Sequence, residues 1–348
     1  MSRKNKKPMV TAENTAPVQQ KMSMISFGNP ERAILNPLEY EPVYFDSSSL
    51  YYTPPVNRLA LAELPDINGQ HGGILRARTN MITADLISNA GMLQNDIQAT
   101  VLNLLTFGDV ALLKLRNAFG KVIGLVPLPS LYTRRGKDGK FYVLQKGGHL
   151  EYEQKDIVFV KLYDTRQQVY GKPDYLGGIS SAMLNNEATT FRRRYYRNGA
   201  HLGYILYTTD PNMTDEMEDE MRKQIAEGKG AGNFKSMLIN IPNGKEKGVQ
   251  LIPVSDMGAK DEFVSIKNIS MQDILNAHRF PPGLAGMMPN NNSSFPDITK
   301  TRDAYQRDEV IPVQKLISDS VNTDDEIPAN LHINFAQSLQ SSVIQGDK

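Results

Sequence analysis

Between Asp96 and Gly108 the apolar residues Ile97, Val101, Leu104 and Leu105 recur at three- and four-residue spacing, which predicts a buried helix. Similar spacing from Leu59 to Leu64, and again from Leu75 to Ile87, predicts two more helical runs. After Gly108 the pattern changes to short apolar runs. Val110 to Leu115, Val122 to Val126, Leu131 to Thr133, Phe141 to Leu144 and Ile157 to Leu162 read as strands. Gly120, Pro127, Gly136, Asp138-Gly139 and Gly147-Gly148 punctuate them, and Asp138-Gly139 is a hairpin turn signal. Residues 26 to 177 therefore read as one α+β domain.

The helical period returns at Gly177-Gly178 and continues to Arg197, where Asn198-Gly199 stops it. Leu184, Ala188, Phe191 and Tyr195 form its apolar stripe. Roughly 20 residues at about 1.5 Å each make a rod of about 30 Å. A small α+β insert follows. Tyr204 to Tyr207 reads as a strand and Thr214 to Ala226 as an acidic helix, while Met237 to Ile241 and Val249 to Ile252 are expected to pair across Pro242-Asn243-Gly244. A further helix runs from Asp261 to Arg279, with Ser270 and Asp273 placed like a capping box that restarts it at Met271. Pro281-Pro282 ends it. Met287 to Phe295 is a loop, Ile298 to Val321 a helix broken or kinked at Pro312, and Leu331 to Phe335 a strand.

Residues 1 to 25 are polar and basic and are expected to be a flexible arm; the last ten residues are expected to fray. Pro30, Pro37, Pro42, Pro54 and Pro55 predict extended chain between Phe27 and Pro55. No internal repeat is visible.

With 348 residues the chain can bury a sizeable core and form two or more subdomains. Its formal net charge of +1 argues against tight binding of nucleic acid through phosphates. The absence of cysteine excludes thiol nucleophiles, zinc ribbons and a disulfide framework, and suits a reducing compartment. Neither a secretory signal nor a membrane span is expected.

Candidate chemistry is sparse. Gly228-Lys229-Gly230-Ala231-Gly232-Asn233 lacks the Gly-Lys-Ser/Thr of a phosphate loop and trails a helix, so it reads as a turn. His71, His149, His201, His278 and His332 show no metal-binding spacing and read as ordinary surface or core histidines. The acidic groups at 215–220 and 324–326 read as a solvated helix face and a turn. Arg192, Arg193, Arg194 and Arg197, interleaved with Tyr195 and Tyr196, could grip phosphate and stack on bases. Three consecutive residues fan out over about 200° on a helix, so they cannot share one ligand. A charged face that pairs with acids across an interface is the preferred reading. Asn290, Asn291, Asn292, Ser293 and Ser294 form a polar, uncharged loop between helices.

Several long segments carry a family resemblance: QQVYGKPDYLGG (167–178), LNNEATTFRRRYYRNGAHLGYILY (184–207), GAGNFKSMLINIPNGKEKGVQLIPVS (230–255) and AKDEFVSIKNISMQDILNAHRFPPGLAGMMPNN (259–291), with TFGDVALL and YYTPPV further upstream. On these the chain resembles the portal proteins of tailed bacteriophages, in particular the short PBSX-type portals of contractile-tailed phages, over most of residues 24 to 322. The resemblance implies an α+β portal fold. Its parts would be a flexible arm (1–25), a wing (26–177), an antiparallel two-helix stem (178–202 and 256–282), a small α+β clip (203–255), a tunnel loop (283–296), and a tunnel helix with C-terminal strand and tail (297–348). The paired asparagines are followed here by Ser293-Ser294-Phe295-Pro296 instead of the family's glycine-rich continuation, and the end at Lys348 leaves little room for a crown domain.

The resemblance further implies a non-enzymatic ring subunit, typically one of twelve, at the portal vertex of the virion, assembled in the host cytoplasm and needing no cofactor. Its expected partners are further copies of itself, the terminase large subunit, a head-tail connector, capsid or scaffolding protein, and duplex DNA passing without sequence preference during packaging and ejection. A channel must not hold its cargo, and each neutralised phosphate adds affinity. The near-zero charge and the neutral 290–294 loop, expected to face DNA, fit that demand. Arg192, Arg193, Arg194 and Arg197 are then expected to pair with Asp261, Glu262 or Asp273 on the other stem helix or the next subunit. The competing readings are a metal-dependent nuclease or phosphotransferase built on the acidic clusters, and a different virion ring protein such as a connector or tail component.

Overall fold

The computed structural model describes residues 43–46, 48–197, 204–208, 237–240, 249–253, 259–286 and 297–336, with 214, 216 and 219 besides. The chain divides into two compact units, one built from Glu31–Thr190 with Lys260–Lys348, the other containing Phe191–Ala259.

In the larger unit a short hairpin, β1 (Phe45–Asp46) and β2 (Tyr51–Tyr52), leads into three helices, α1 (Arg58–Ile67), α2 (Gly69–Ala84) and α3 (Gln94–Phe107). Asn57 caps α1 and Asn68 caps α2, each side-chain oxygen accepting two backbone N–H groups of the first turn. The predicted stripe of α3 is fully buried, and Gly108 ends the helix in the left-handed region at φ 82°. A glycine is required there twice over, because a Cβ would lie 2.4 Å from the carbonyl carbon of Lys172.

The expected helical run to Ile87 is corrected. Residues 86–89 form a strand, β3 (Leu86–Asn89), whose antiparallel partner is β13 (Ile333–Phe335) from the far end of the chain. Six strands follow α3: β4 (Asp109–Arg116), β5 (Val122–Pro127), β6 (Thr133–Arg135), β7 (Phe141–Gln145), β8 (Gly148–Tyr152) and β9 (Ile157–Lys161). They make two antiparallel sheets of order β5-β4-β9 and β6-β7-β8. The third predicted strand thus lies two residues further on than expected. Strand β8 was not predicted, because its apolar face is only Leu150 and Tyr152, the rest of GHLEY being polar or glycine and exposed. The main core gathers between the helices and the β4 sheet, with Leu61, Leu64, Leu75, Leu104, Val110 and Leu112 buried.

A buried ion pair ties these layers together. Arg58 reaches both carboxylate oxygens of Asp109 at 2.9 and 2.7 Å and donates to the Ser130 carbonyl, while Phe107 and Tyr170 flank its guanidinium.

After β9 the chain reaches α4 (Ile179–Arg197). In the smaller unit lie β10 (Tyr204–Thr208), β11 (Met237–Asn240) and β12 (Val249–Pro253). Here the expected pairing of the last two strands is overturned. Strand β10 sits between them, parallel to β11 and antiparallel to β12. The acidic helix expected from Thr214 and the glycine turn at 228–233 fall mainly or wholly outside the described residues.

The chain returns through α5 (Ala259–Ala277), which is continuous. The capping box at Ser270 is therefore corrected: Ser270 is buried inside the helix and its hydroxyl donates to the Lys267 carbonyl. Then come α6 (Ile298–Tyr305), a single π turn at Gln306–Val310, and α7 (Ile311–Asn322). The break falls ahead of Pro312, which occupies the first turn of α7, where its missing N–H costs nothing.

Candidate functional site

Helices α4 and α5 lie side by side with opposite chain directions. Gly178, just before α4, faces Ala277; Ser181 donates to Asp273 Oδ2 at 3.0 Å; Asn185 donates to Ser270 Oγ at 2.9 Å; Lys267 donates to Thr189 Oγ1 at 2.7 Å. Rising numbers on one helix meet falling numbers on the other, so the pair is antiparallel. The approach is close at Gly178, where an added Cβ would collide with the Ala277 Cβ. The seam is polar as well as close. Asn185 is buried in it, and Asn68 at the start of α2 donates to the Ala182 carbonyl at 2.9 Å, pinning the pair to the three-helix layer.

At the Gly178–Ala277 end of this seam lies a polar cluster, buried at its centre and exposed at Arg279, drawn from four segments. His71 and Arg78 come from α2, Asp174 and Tyr175 from the turn before α4, His278 and Arg279 from the end of α5, and Glu309 from the π turn. Arg78 holds Asp174 through two hydrogen bonds of 3.1 and 2.7 Å. It also lies 3.3 Å from His278 Nδ1, and His278 Nε2 lies 2.9 Å from His71 Nδ1. A guanidinium can only donate, so His278 Nδ1 accepts. His278 Nε2 then carries the proton and donates to His71 Nδ1, and both rings are neutral. Tyr175 packs against both rings and donates to the Thr106 carbonyl. Burial, reinforced by the charge of Arg78, lowers His71 to about 4. Burial, then His71 and Arg78, lowers His278 to about 3. Burial acts to raise the Asp174 carboxyl, but Arg78 and Arg279 outweigh it and hold the group below the usual carboxylate range.

The predicted site residues are distributed as follows. Arg192 and Arg193 lie exposed near the end of α4 and make no ion pair among the described residues. Arg194 and Arg197 lie on the same helix and Asp261 and Glu262 on the first turns of α5, with side chains outside the described residues. Asp273 is corrected as a partner within one chain. It sits level with Ser181, about 16 Å along α4 from Arg192, and accepts the Ser181 hydroxyl instead. Residues 290 to 294 lie outside the described residues. The histidines read individually as ordinary include a buried pair, His71 and His278, that sequence reasoning did not join. Arg78, on the same helix face as His71, Leu75 and Ile82, was the available signal: a charge on an apolar stripe requires a buried partner.

Among the described residues no cluster of three or more metal-ligating side chains occurs, and no helix is long and apolar enough to cross a membrane.

Comparison with known proteins fits this architecture. The family model described as "Phage portal protein" matches residues 78–337. The chain is 52% identical over 307 residues to a "Probable portal protein" of Haemophilus phage HP1 (strain HP1c1), covering 86% of this chain and 89% of that one. It is 34% identical over 317 residues to a "Probable portal protein" of Escherichia phage P2, covering 90% and 92% respectively. Among solved structures it is similar to a chain from the neck of a native gene transfer agent particle computed with C12 symmetry, with TM-score 0.58, 17% identity, and 84% and 88% of the two chains covered. It is also similar to an HK97 family phage portal protein from Corynebacterium diphtheriae, with TM-score 0.55, 14% identity, and 81% and 97% covered. The chain belongs to the phage portal protein family.

Proposed function

We propose that copies of this chain close into a ring, of twelve subunits, at the portal vertex of a tailed phage head, and that duplex DNA enters and leaves through its bore. The observation that carries this reading is the antiparallel α4–α5 pair, whose helices are joined to each other at Gly178, Ser181, Asn185 and Lys267 and share the main core through Ile179, Ala182, Ile274 and Leu275. An antiparallel helix pair held along its seam by polar contacts is a unit that many copies can set side by side. A head-to-tail contact that closes on itself then yields a ring.

In this reading the helix pair lines the wall, the 203–255 region presents surface to the terminase and the head-tail connector, and the uncharged residues Asn290 to Ser294 face the DNA. Assembly with capsid or scaffolding protein takes place in the host cytoplasm before the ring becomes part of the virion. The ring contributes no chemistry of its own; the packaging motor supplies the energy. Arg192 and Arg193, exposed and unpaired among the described residues, serve the contact between neighbouring subunits together with Arg194 and Arg197. Asp261, Glu262 and Asp273 of the adjacent copy are their proposed partners.

The test removes the parent phage's own copy and supplies this chain in trans. Restored DNA-filled heads support the assignment; empty or absent heads beside abundant, folded protein contradict it.

A further inference from the structure

The chain leaves α5 through a turn that a glycine would normally make. Phe280 N–H bonds the Leu275 carbonyl at 2.8 Å and Arg279 N–H the Asn276 carbonyl at 2.9 Å, the hydrogen-bond pattern of a Schellman C-cap. The left-handed position of that motif is held by Arg279, at φ 51°. A side chain there is unfavourable, and its own contacts must hold it.

Those contacts are specific. Arg279 lies 3.1 Å from Asp174 and 2.7 Å from Glu309 on the π turn. The two ion pairs on Asp174 differ in depth. Arg78 is 2% exposed and fixes Asp174 from beneath, whereas the Arg279 side chain is 51% exposed and grips it from outside. Solvent and salt therefore reach the second grip and not the first.

Beyond Phe280, which is buried edge-on against Tyr305, the chain borders open space: Leu284 and Ala285 line a groove of about 380 Å³ against α2, where Gly69 and Gly73 have nothing near the Cβ position.

We propose that Arg279 is a releasable latch. In the latched state its guanidinium joins the turn before α4 to the π turn ahead of α7 and holds residue 279 left-handed. On release, residue 279 returns to the right-handed region and residues 281–285 shift along the α2 groove about the buried Phe280, while the Arg78–Asp174 anchor and the α4–α5 pair stay in place. In a portal subunit (this clause rests on the function proposed above) the joint lets the chain beyond the helix pair reset without loosening the wall.

The chain has no cysteine, so Arg76→Cys with Ala285→Cys gives a clean pair of spin-label sites across the groove. Labelled chains diluted among unlabelled ones report the distance within one chain, in ring or monomer alike. Failure to form rings therefore counts against the portal assignment and not against the latch. One dominant distance is expected at low salt. Arg279→Gly, which removes the grip but suits the backbone, should raise the weight of a second distance roughly tenfold, the effect of about 1.4 kcal/mol. Arg279→Ala should raise it further, since the unfavourable backbone remains. Glu309→Gln leaves residue 279 untouched and should fall between wild type and Arg279→Gly, and 1 M salt should shift the wild type in the same direction. An unchanged distance distribution in both Arg279→Gly and Glu309→Gln overturns the proposal.

Discussion

Acidification should weaken this protein well above the pH at which its paired carboxylates titrate. His71 and His278 are buried and neutral, locked between Arg78 and Tyr175, with values depressed to about 4 and about 3. In the unfolded chain each returns to about 6.5. Between those limits the unfolded state binds more protons, so stability is fully present above pH 6.5 and is lost as pH falls toward the folded values. Each histidine contributes about 1.4 kcal/mol per pH unit across the window. The pair should thus cost close to ~4 kcal/mol between pH 7 and pH 5, a large share of the roughly 5–15 kcal/mol that holds a domain together. Asp174 and Glu326, both held low by cationic partners, change protonation mainly below pH 5 and leave this window to the histidines. The assay is urea unfolding at pH 7, 6 and 5 at one protein concentration, because ring assembly makes stability concentration-dependent. The double variant His71→Asn/His278→Gln keeps a donor facing an acceptor without a titrating group. It should be less stable at pH 7 but nearly flat from pH 7 to 5. A flat wild-type profile, or an equal slope in the variant, refutes the reasoning.

Other expectations follow from single contacts. Arg58→Ala strands Asp109, whose carboxylate is 3% exposed, and should cost about 3–5 kcal/mol, read as a lower urea midpoint. Gly178→Ala should destabilise by pushing Ala277 away, and adding Ala277→Gly should restore most of the loss; no rescue would mean that the close approach of the two helices is not what the glycine serves. Arg192→Ala/Arg193→Ala should impair ring assembly and packaging together, and intact rings with lost packaging would argue for a DNA contact instead.

What could be read from the sequence was local. The α3 stripe, the β4, β5, β7 and β9 runs and the Asp138-Gly139 hairpin are written in neighbouring residues, and Gly139 does take the left-handed turn at φ 85°. Strand β3 was hidden because Leu86 and Ile87 continue the apolar text of α2, while their partner stands more than 240 residues away. The β10–β11–β12 order failed for a related reason, since proximity in sequence suggested a hairpin and the sheet placed an earlier strand between the two. Ser270 resembled a cap because its spacing to Asp273 is right; only the buried Asn185 across the seam explains a serine inside that helix. The His71–His278–Arg78 cluster joins residues some 200 positions apart and has no local signature. The helix pair could be named from family resemblance, but the reason Gly178 must be small needed the facing Ala277.

Direct imaging of the purified protein by electron microscopy tests the central claim most simply. Closed rings with a central opening, built from a fixed number of copies, are the predicted result. A population that stays monomeric at every concentration, with no ring in any field, contradicts it.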